Sequence, residues 1–217
     1  MSLKDEIMNE LKQDILSLQL KPGTIISETA LSERFKLSRT PIRDILKQLS
    51  LEDYINIYPK KGNIVSYIDL DSVEQIIYLR SALEKQLFKD LAGQLPLKAV
   101  HELNQLLALQ EQAIHSDQAS QHFLKLDDAF HQTLFRWAGR EFLWGLLQQF
   151  NVHYVRYRNL CMLKKDKLLD IHKEHQAMVQ IILQGETLKI DDSVHHHLRA
   201  DMDSLDFQEP YSHYIKK

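Results

Sequence analysis

Cysteine, proline and glycine are scarce in this chain of 217 residues, which has one, five and six of them respectively. The single cysteine, Cys161, cannot form an internal disulfide. No basic segment followed by an apolar run begins the chain, so we expect no export and a cytoplasmic location. The longest apolar runs, such as residues 142–144, fall far short of the roughly 20 residues that cross a bilayer. We therefore expect no membrane partner.

Charge of one sign is also scarce, because the formal net charge is only −3. A nucleic-acid-binding function must therefore depend on where the basic residues lie. A hydrophobic content of 44% with so few glycines and prolines is typical of a globular, helix-rich chain and excludes a disordered one. Since domains commonly have roughly 100–150 residues, the length indicates two of them.

Three helices are predicted in the first part of the chain. The first has an apolar stripe at helical spacing, formed by Ile7, Leu11, Ile15 and Leu18. Ser27 and Ser38 are suitable N-caps for the second and third helices, and Pro41 is tolerated in a first helical turn. Only a short stretch separates the second helix from the third, so the two meet at a tight corner.

A hairpin follows these helices, and a helical bundle follows the hairpin. The β-prone runs 54–58 and 63–67 flank a basic tip, and the resulting order predicts a winged helix-turn-helix domain over residues 1–68. From residue 69 onward the strand pattern gives way to amphipathic helices, with breaks near 93–96, 116–120, 139, 164–167 and 185. The sequence therefore predicts a mainly α fold, in which residues 69–217 form an all-α antiparallel bundle of about six helices.

The third helix has a basic outer face formed by Arg39, Arg43 and Lys47. In helix-turn-helix proteins the N-terminal residues of this helix contact base edges in the major groove. Arginine suits guanine there because its fork matches two acceptors. We therefore expect double-stranded DNA as a partner, with Arg39 and Arg43 as base readers.

Other polar residues near that helix and at the hairpin tip can contact the DNA backbone. Ser38 and Thr40 can bond phosphates at the helix start, where free N–H groups are also available. Lys60 and Lys61 at the hairpin tip can reach the flanking minor groove or backbone. Each of these residues alone is an ordinary surface residue, and it is their combination that indicates DNA binding.

The predicted bundle contains side chains suited to a metal ion. Asp127 and His131 are four residues apart on one helix and project to the same side. His175 and one member of the triplet 195–197 offer two more imidazoles. Three nitrogens and one oxygen suit zinc first, with nickel, manganese and iron as alternatives. The alternative is that the histidines are ordinary structural residues.

Spacing alone leaves two of these ligands open. Helical periodicity places His195 nearer than His197 to the apolar stripe of that helix, which is formed by Val194, Leu198, Met202 and Leu205. Asp128, three residues before His131, is the alternative to Asp127.

Several stretches of the first 67 residues resemble the DNA-binding head of GntR-family regulators. They are LKPG at 20–23, ISETAL at 26–31, Phe35, SRTPIR at 38–43 and PKKG at 59–62, and the SRTPIR stretch is the most specific. The resemblance implies DNA contacts by Ser38, Arg39, Thr40, Pro41, Arg43, Lys60, Lys61 and Gly62. Lys61 departs from the arginine that is frequent in the family, so we expect weaker wing contacts.

Most of residues 70–205 resembles the FCD effector domain of the FadR-type GntR subfamily. The matching pieces are Arg80-x-x-Leu83-Glu84, Asp127-x-x-Phe130-His131, Ala138-Gly139, Glu174-His175, Gly185-Glu186 and His197-Leu198. Many members hold a divalent metal with one Asp and three His, which implies Asp127, His131, His175 and His197 as ligands. The family spacing thus selects His197 over His195. The count of about six helices points to the shorter, VanR-like branch.

Family members also use cationic side chains to hold an effector, which implies Arg80 as a contact for an effector carboxylate. The alternative for Arg80 is a surface ion pair with Glu84, four residues away. Arg156 and Arg158 are weaker candidates, and we expect Trp137, Trp144, Phe150 and Tyr154 to be core or interface residues.

Together these observations predict a homodimeric repressor, not an enzyme, that binds a palindromic operator and responds to a small organic acid at its metal site. One alternative is a metal-dependent hydrolase with Glu174 as its base, although a surface or second-shell role is the better interpretation of that residue. Another alternative keeps the DNA-binding head and makes the bundle purely structural.

Overall fold

The computed structural model describes residues 2–117, 119–162, 164, 166–203 and 211–216. These residues fall into two compact units. The first comprises those within Met1–Val73, Phe150–Asn159 and Gln208–Lys217, and the second those within Glu74–Gln149 and Leu160–Phe207. The domain boundary expected at residue 68 stays a prediction. No sequence pattern indicated that residues 150–159 join the first unit.

The first unit contains the winged helix-turn-helix that the sequence predicts. Its elements are α1 (Leu3–Leu16), β1 (Ile25–Ile26), α2 (Glu28–Phe35), α3 (Arg39–Leu51), β2 (Ile55–Tyr58) and β3 (Gly62–Val65). The strands form an antiparallel sheet in the order β1–β3–β2. β1 was not predicted, because a strand of two residues is too short to produce an alternating pattern.

Aliphatic side chains of α1 and α3 form the core of this unit. The buried residues recur every three or four positions, as Ile7, Leu11 and Ile15 on α1 and Ile42, Ile45, Leu46 and Leu49 on α3. Ser2 begins α1 with a capping box in which Ser2 and Asp5 each accept from the other's backbone N–H. α1 ends at Leu16, so Leu18, with a φ of 63°, lies outside the helix that its spacing suggested.

A helix from later in the chain completes the first unit. α8 (Val152–Cys161) adds Val152 to the apolar core and carries the fully buried Arg156. Arg156 donates to the Ser66 carbonyl oxygen at 2.6 Å and to Ser66 Oγ at 2.9 Å. The segment that follows β3 is therefore held by a buried, charged donor.

The second unit is helical. It contains α4 (Leu70–Leu91) from Glu74 onward, α5 (Leu97–Ile114), α6 (Ala119–Trp137), α7 (Glu141–Gln149), α9 (Lys167–Gln184) and α10 (Thr187–Asp203). α5 packs against α6 and α9 through a buried stripe of Ala99, Leu103, Leu107, Gln110 and Ala113. α9 ends at Gln184 and is capped by Gly185, whose φ of 69° lies in the left-handed region that favours glycine.

The described residues between 70 and 203 form seven α-helices, one more than the count of about six from the sequence. The additional helix results from a break at residues 150–151, between α7 and α8. Neither of these residues is a glycine or a proline, so the sequence did not indicate the break. The assignment to the VanR-like branch depended on the lower count and stays a prediction. The mainly α fold class is confirmed. Within the described ranges, each helix is too short or too polar to span a bilayer.

Candidate metal centre and nucleic-acid interface

Four of the predicted site residues meet in the interior of the second unit. α6 supplies Asp127 and His131, α9 supplies His175 and α10 supplies His197. His131 and His175 are fully buried, and the other two side chains are almost so. One potential ligand atom from each residue lies within 4.8 Å of the other three. The structure therefore brings together the four residues that the family resemblance implied.

The spacing of these atoms is that of ligands around one ion. His131 Nε2 lies 3.1 Å from His197 Nε2 and 3.9 Å from Asp127 Oδ2. His175 Nε2 lies 3.6 Å from Asp127 Oδ1. Metal–ligand bonds of about 2.0–2.2 Å place the ligand atoms of one ion roughly 3–4 Å apart. These separations are compatible with one divalent cation bound among the four side chains.

Each of the three rings has its Nδ1 next to a side-chain oxygen of another helix. His175 Nδ1 lies 3.0 Å from Gln110 Oε1, and His197 Nδ1 lies 2.7 Å from Glu174 Oε2. His131 Nδ1 lies 3.1 Å from Glu84 Oε2, although these two atoms are not aligned for a hydrogen bond. The Nε2 atoms are left to face the centre of the cluster.

Arg80 and Glu84 form an ion pair inside the unit. Arg80 Nε donates to Glu84 Oε1 at 2.7 Å, and the two side chains are only 4% and 0% exposed. Burial raises the pKa of Glu84, but Arg80 and His131 outweigh it and hold that pKa at about 2. The predicted alternative of an Arg80–Glu84 pair is thus present, but it is buried, because both residues lie on the inward stripe of α4 with Ile77 and Phe88.

The charge state of the cluster suits metal binding. Burial lowers the pKa of His131, with Glu84 opposing the shift only in part, so the ring is held in the neutral form that coordinates metals. Burial raises the pKa of Glu174, but the hydrogen bond with His197 and the charges around it lower that pKa overall. Glu174 is therefore an anion that accepts a hydrogen bond from His197 Nδ1.

The two fallback ligands are not part of the cluster. The His195 side chain is 55% exposed and lies 3.8 Å from Asp203. Asp127 takes the position for which Asp128 was the alternative. Periodicity favoured His195 because it included Met202 and Leu205 in the stripe. Leu205 lies outside the described residues. The buried positions of α10 are Ile190, Val194 and Leu198, and the centre of this stripe around the helix axis lies nearer His197 than His195.

The weaker effector candidates, Arg156 and Arg158, belong to the first unit. Arg156 is bound to Ser66, and the Arg158 guanidinium lies 5.6 Å from the centre of the Tyr154 ring. Tyr154 is buried in the first unit and Trp144 in the second, as expected of core residues, whereas Phe150 is 71% exposed.

Sequence reasoning missed Gln110. The signal was a polar residue on the buried stripe of α5, where Leu103 and Leu107 precede it at helical spacing. A buried polar side chain needs hydrogen-bond partners, which is a reason to look for a function at such a position.

The predicted DNA-contacting residues form an exposed set on the first unit. Ser38 is the N-cap of α3 but makes no side-chain cap hydrogen bond, so its hydroxyl is available to a phosphate. Pro41 is half-buried in the first turn of α3. The remaining members are exposed, and they are Arg39, Thr40, Arg43, Lys60, Lys61 and Gly62.

Contacts with α2 orient the two arginines of α3. Arg39 donates to Thr29 Oγ1 at 3.3 Å, and Arg43 forms a 2.8 Å ion pair with Glu28. Both pairs are exposed and therefore weak enough to exchange for contacts with DNA. At the hairpin tip Lys60 and Gly62 have φ values of 67° and 94°, which turn the chain sharply between β2 and β3.

Comparisons with known proteins assign a family to each of the two parts of the chain. Residues 3–65 match the family model of the bacterial regulatory proteins of the gntR family, and residues 75–200 match the FCD domain. An uncharacterized HTH-type transcriptional regulator of Streptomyces ambofaciens is 30% identical over 201 residues, which cover 93% of this chain and 84% of that protein. The HTH-type transcriptional repressor RspR of Escherichia coli K12 is 26% identical over 205 residues, covering 94% and 89%.

A solved structure is similar to this chain in fold. The structure of E. coli McbR/YncC aligns with a TM-score of 0.71 at 17% identity and covers 97% of this chain and 99% of that one. At that level of identity the likeness concerns the fold alone.

Proposed function

The chain belongs to the GntR family of bacterial regulatory proteins and has an FCD domain, and from this premise we propose a metal-containing repressor whose DNA affinity is controlled by a small organic acid. Membership of the family makes it a transcriptional regulator. The metal, the effector and the sign of regulation are the parts of the proposal that need experiment.

The observation that carries the proposal is the meeting of Asp127 with three histidines in the interior of the helical unit. Three imidazole nitrogens and one carboxylate oxygen are a donor set that zinc prefers and that nickel, manganese and iron also accept. Within the described residues the donor set thus fits a divalent cation. When bound, the ion supplies positive charge and one or two further coordination positions for an oxygen ligand.

An organic acid is the effector that this chemistry favours. A divalent ion and Arg80 together would balance the charges of Asp127, Glu84 and Glu174, so an anion would be held by direct contact with the ion at an open coordination position and not by a net positive charge of the site. Arg80 stays a predicted contact for the effector, although its guanidinium is already paired with Glu84. The acid shifts the regulator only to the extent that it binds the DNA-competent and incompetent states differently.

For the DNA-binding part we propose a homodimer that presents two copies of α3 to the half-sites of a palindromic operator. Arg39 and Arg43 would read guanines in the major groove, and Lys60 and Lys61 would follow the flanking backbone or minor groove. A regulator of bacterial DNA acts in the cytoplasm, which is the location we propose.

A hydrolase is the competing function for a metal site with open positions. It would need a general base near the ion. The candidate base, Glu174, has one carboxylate oxygen 2.7 Å from His197 Nδ1 and the other 3.4 Å from exposed His196. A carboxylate engaged in this way positions a ring and is poorly placed to activate water, so sensing is favoured.

Operator binding in the presence of acids tests the proposal. The operator is first selected from a randomised duplex library, and the affinity of the zinc-loaded protein is then measured by fluorescence anisotropy with a panel of small mono-, di- and tricarboxylic acids. We expect at least one acid to weaken binding in the parent and to have no effect in His175→Ala. Unchanged affinity with every acid would contradict the effector part, and hydrolysis of a substrate panel by the same protein would favour the enzyme.

A further inference from the structure

Two buried contacts behind the histidines determine which ring nitrogen is available to a metal ion. We propose that Gln110 and Glu174 are positioning residues of the metal site, each fixing the tautomer of one histidine so that its Nε2 lone pair faces the ion. This inference rests on the proposed metal site and deepens it, because it assigns roles to two side chains that are not ligands.

The orientation of Gln110 is set by the backbone of α6. Gln110 is fully buried, and its Nε2 donates to the Leu126 carbonyl oxygen at 3.3 Å. Its Oε1 must therefore be the atom that faces His175 Nδ1 at 3.0 Å. An amide oxygen can only accept, so His175 carries its proton on Nδ1 and has a lone pair on Nε2, the atom 3.6 Å from Asp127 Oδ1.

Glu174 does the same for His197 from the edge of the site. An ionised carboxylate can only accept hydrogen bonds, and Glu174 Oε2 lies 2.7 Å from His197 Nδ1. His197 therefore carries its proton on Nδ1, and its Nε2 lone pair faces the cluster, 3.1 Å from His131 Nε2. Because Glu174 is adjacent to His175 on α9, the same turn of helix supplies one ligand and orients another.

The third ring lacks an aligned acceptor of this kind. His131 Nδ1 is 3.1 Å from Glu84 Oε2, but the atoms are not aligned for a hydrogen bond, so we do not assign the same role to Glu84. His175 is further held by Phe130, whose ring stacks on it with centroids 4.2 Å apart and planes inclined by 16°. His175 and His197 are thus the preorganised ligands of the set.

Loss of either acceptor should weaken metal binding without removing a ligand. A neutral imidazole without a partner on Nδ1 populates the tautomer that has its proton on Nε2, and that proton must leave before coordination. Partners of this kind typically change metal affinity by about 10- to 100-fold. The effect is therefore measurable as a dissociation constant.

Four variants of the full-length chain test the assignment. Gln110→Met and Glu174→Ala remove the acceptors, and Glu174→Gln keeps an accepting oxygen without the charge. Asp170→Asn is the control, because Asp170 is an exposed acid one turn earlier on the same helix. Circular dichroism checks folding, and Glu174→Ala carries the test if Gln110→Met does not fold, since Glu174 lies nearer the surface.

Two measurements are made on each variant. Zinc affinity is measured by competition with a chromophoric chelator, and the tautomer of each ring is read from two-bond proton–nitrogen correlations of ¹⁵N-histidine-labelled, metal-free protein. We expect His175 and His197 to carry the proton on Nδ1 in the parent, Asp170→Asn and Glu174→Gln. Glu174→Ala should show the Nε2–H form at His197, Gln110→Met should show it at His175, and both should bind zinc about 10- to 100-fold more weakly.

The possible failures are distinguishable. A parent that binds zinc while Glu174→Ala and Gln110→Met bind it equally well would overturn this inference and leave the metal site standing. An Nε2–H tautomer at His175 or His197 in the metal-free parent would also overturn it. A parent that binds no zinc at all would contradict the proposed metal site, and the positioning roles with it.

Discussion

Replacement of Arg80 by methionine should destabilise the second unit by about 3–5 kcal/mol, the usual cost of breaking a buried ion pair by removing one partner. Arg80 Nε and Glu84 Oε1 are 2.7 Å apart, and neither side chain has more than 4% of its surface exposed. Methionine fills most of the space that the arginine stem occupied. The cost therefore comes from the carboxylate that remains buried without this guanidinium.

The double variant Arg80→Met/Glu84→Leu separates the charge effect from the loss of packing. Replacing both members of a buried pair by apolar residues is often close to neutral, so we expect its stability to lie within about 1–2 kcal/mol of the parent. Most of that difference would come from the lost contact of Glu84 with His131. The second substitution should thus recover stability that the first one removes.

Denaturant unfolding of metal-free protein, followed by tryptophan fluorescence, measures both quantities. The two tryptophans, Trp137 and Trp144, both belong to the second unit, so the signal reports on that unit alone. Arg140→Met, at an exposed position, is the control and should stay within about 0.5 kcal/mol of the parent. A loss below about 1 kcal/mol in Arg80→Met, or a double variant as unstable as the single one, would refute the reasoning.

Three further predictions concern acid stability, DNA recognition and the core of the first unit. The pKa of Glu84, about 2 against an ordinary 4.5, means that its ionised form adds stability that is complete above pH 4.5 and is lost as the pH falls toward 2. The parent should therefore lose unfolding free energy as the pH falls from 4.5 toward 2, measured by tryptophan fluorescence. Glu84→Gln should lack the part of this loss that comes from protonation of Glu84. Arg39→Ala should cost about 1–3 kcal/mol of operator binding and relax preference at one base pair, whereas Lys61→Ala should weaken all duplexes alike and lower the salt slope by about one. Arg156→Met removes two charged hydrogen bonds to Ser66 and should speed amide exchange in β3, with a loss of about 3 kcal/mol that the tryptophan signal does not register.

The DNA-binding unit was predictable because its signals are local. Ser27 caps α2 and accepts from the Ala30 N–H, and Ser38 is the N-cap of α3, as their positions in the sequence suggested. The basic tip between β2 and β3 was equally visible. β1 escaped prediction because it exists only through its pairing with β3, a contact between residues far apart in sequence.

The metal centre was predictable only in part. Asp127 and His131 share one helix, so their spacing indicated that they project to the same side, with Asp128 left as the alternative to Asp127. His197 required the family spacing, because periodicity favoured His195, and the assignment of any of these residues as a ligand stays a prediction.

Interior contacts were harder to predict than the ligands themselves. Gln110 and Glu84 lie on α5 and α4, and only the packing of those helices brings their side chains to the rings. For Arg80, which was predicted to contact an effector, the alternative of an ion pair with Glu84 placed that pair at the surface, because a charged pair four residues apart usually lies there, whereas the pair is buried. The participation of α8 in the first unit, through Arg156, has no local signal for the same reason.

The measurement that tests the central claim most directly is the metal content of purified protein by elemental analysis. The variants are His131→Ala, His175→Ala and His197→Ala, with His195→Ala as a matched control from the same triplet. We expect about one divalent metal per chain in the parent and in His195→Ala, and its loss in the other three. No metal in the parent, or full retention in His175→Ala, would contradict the account.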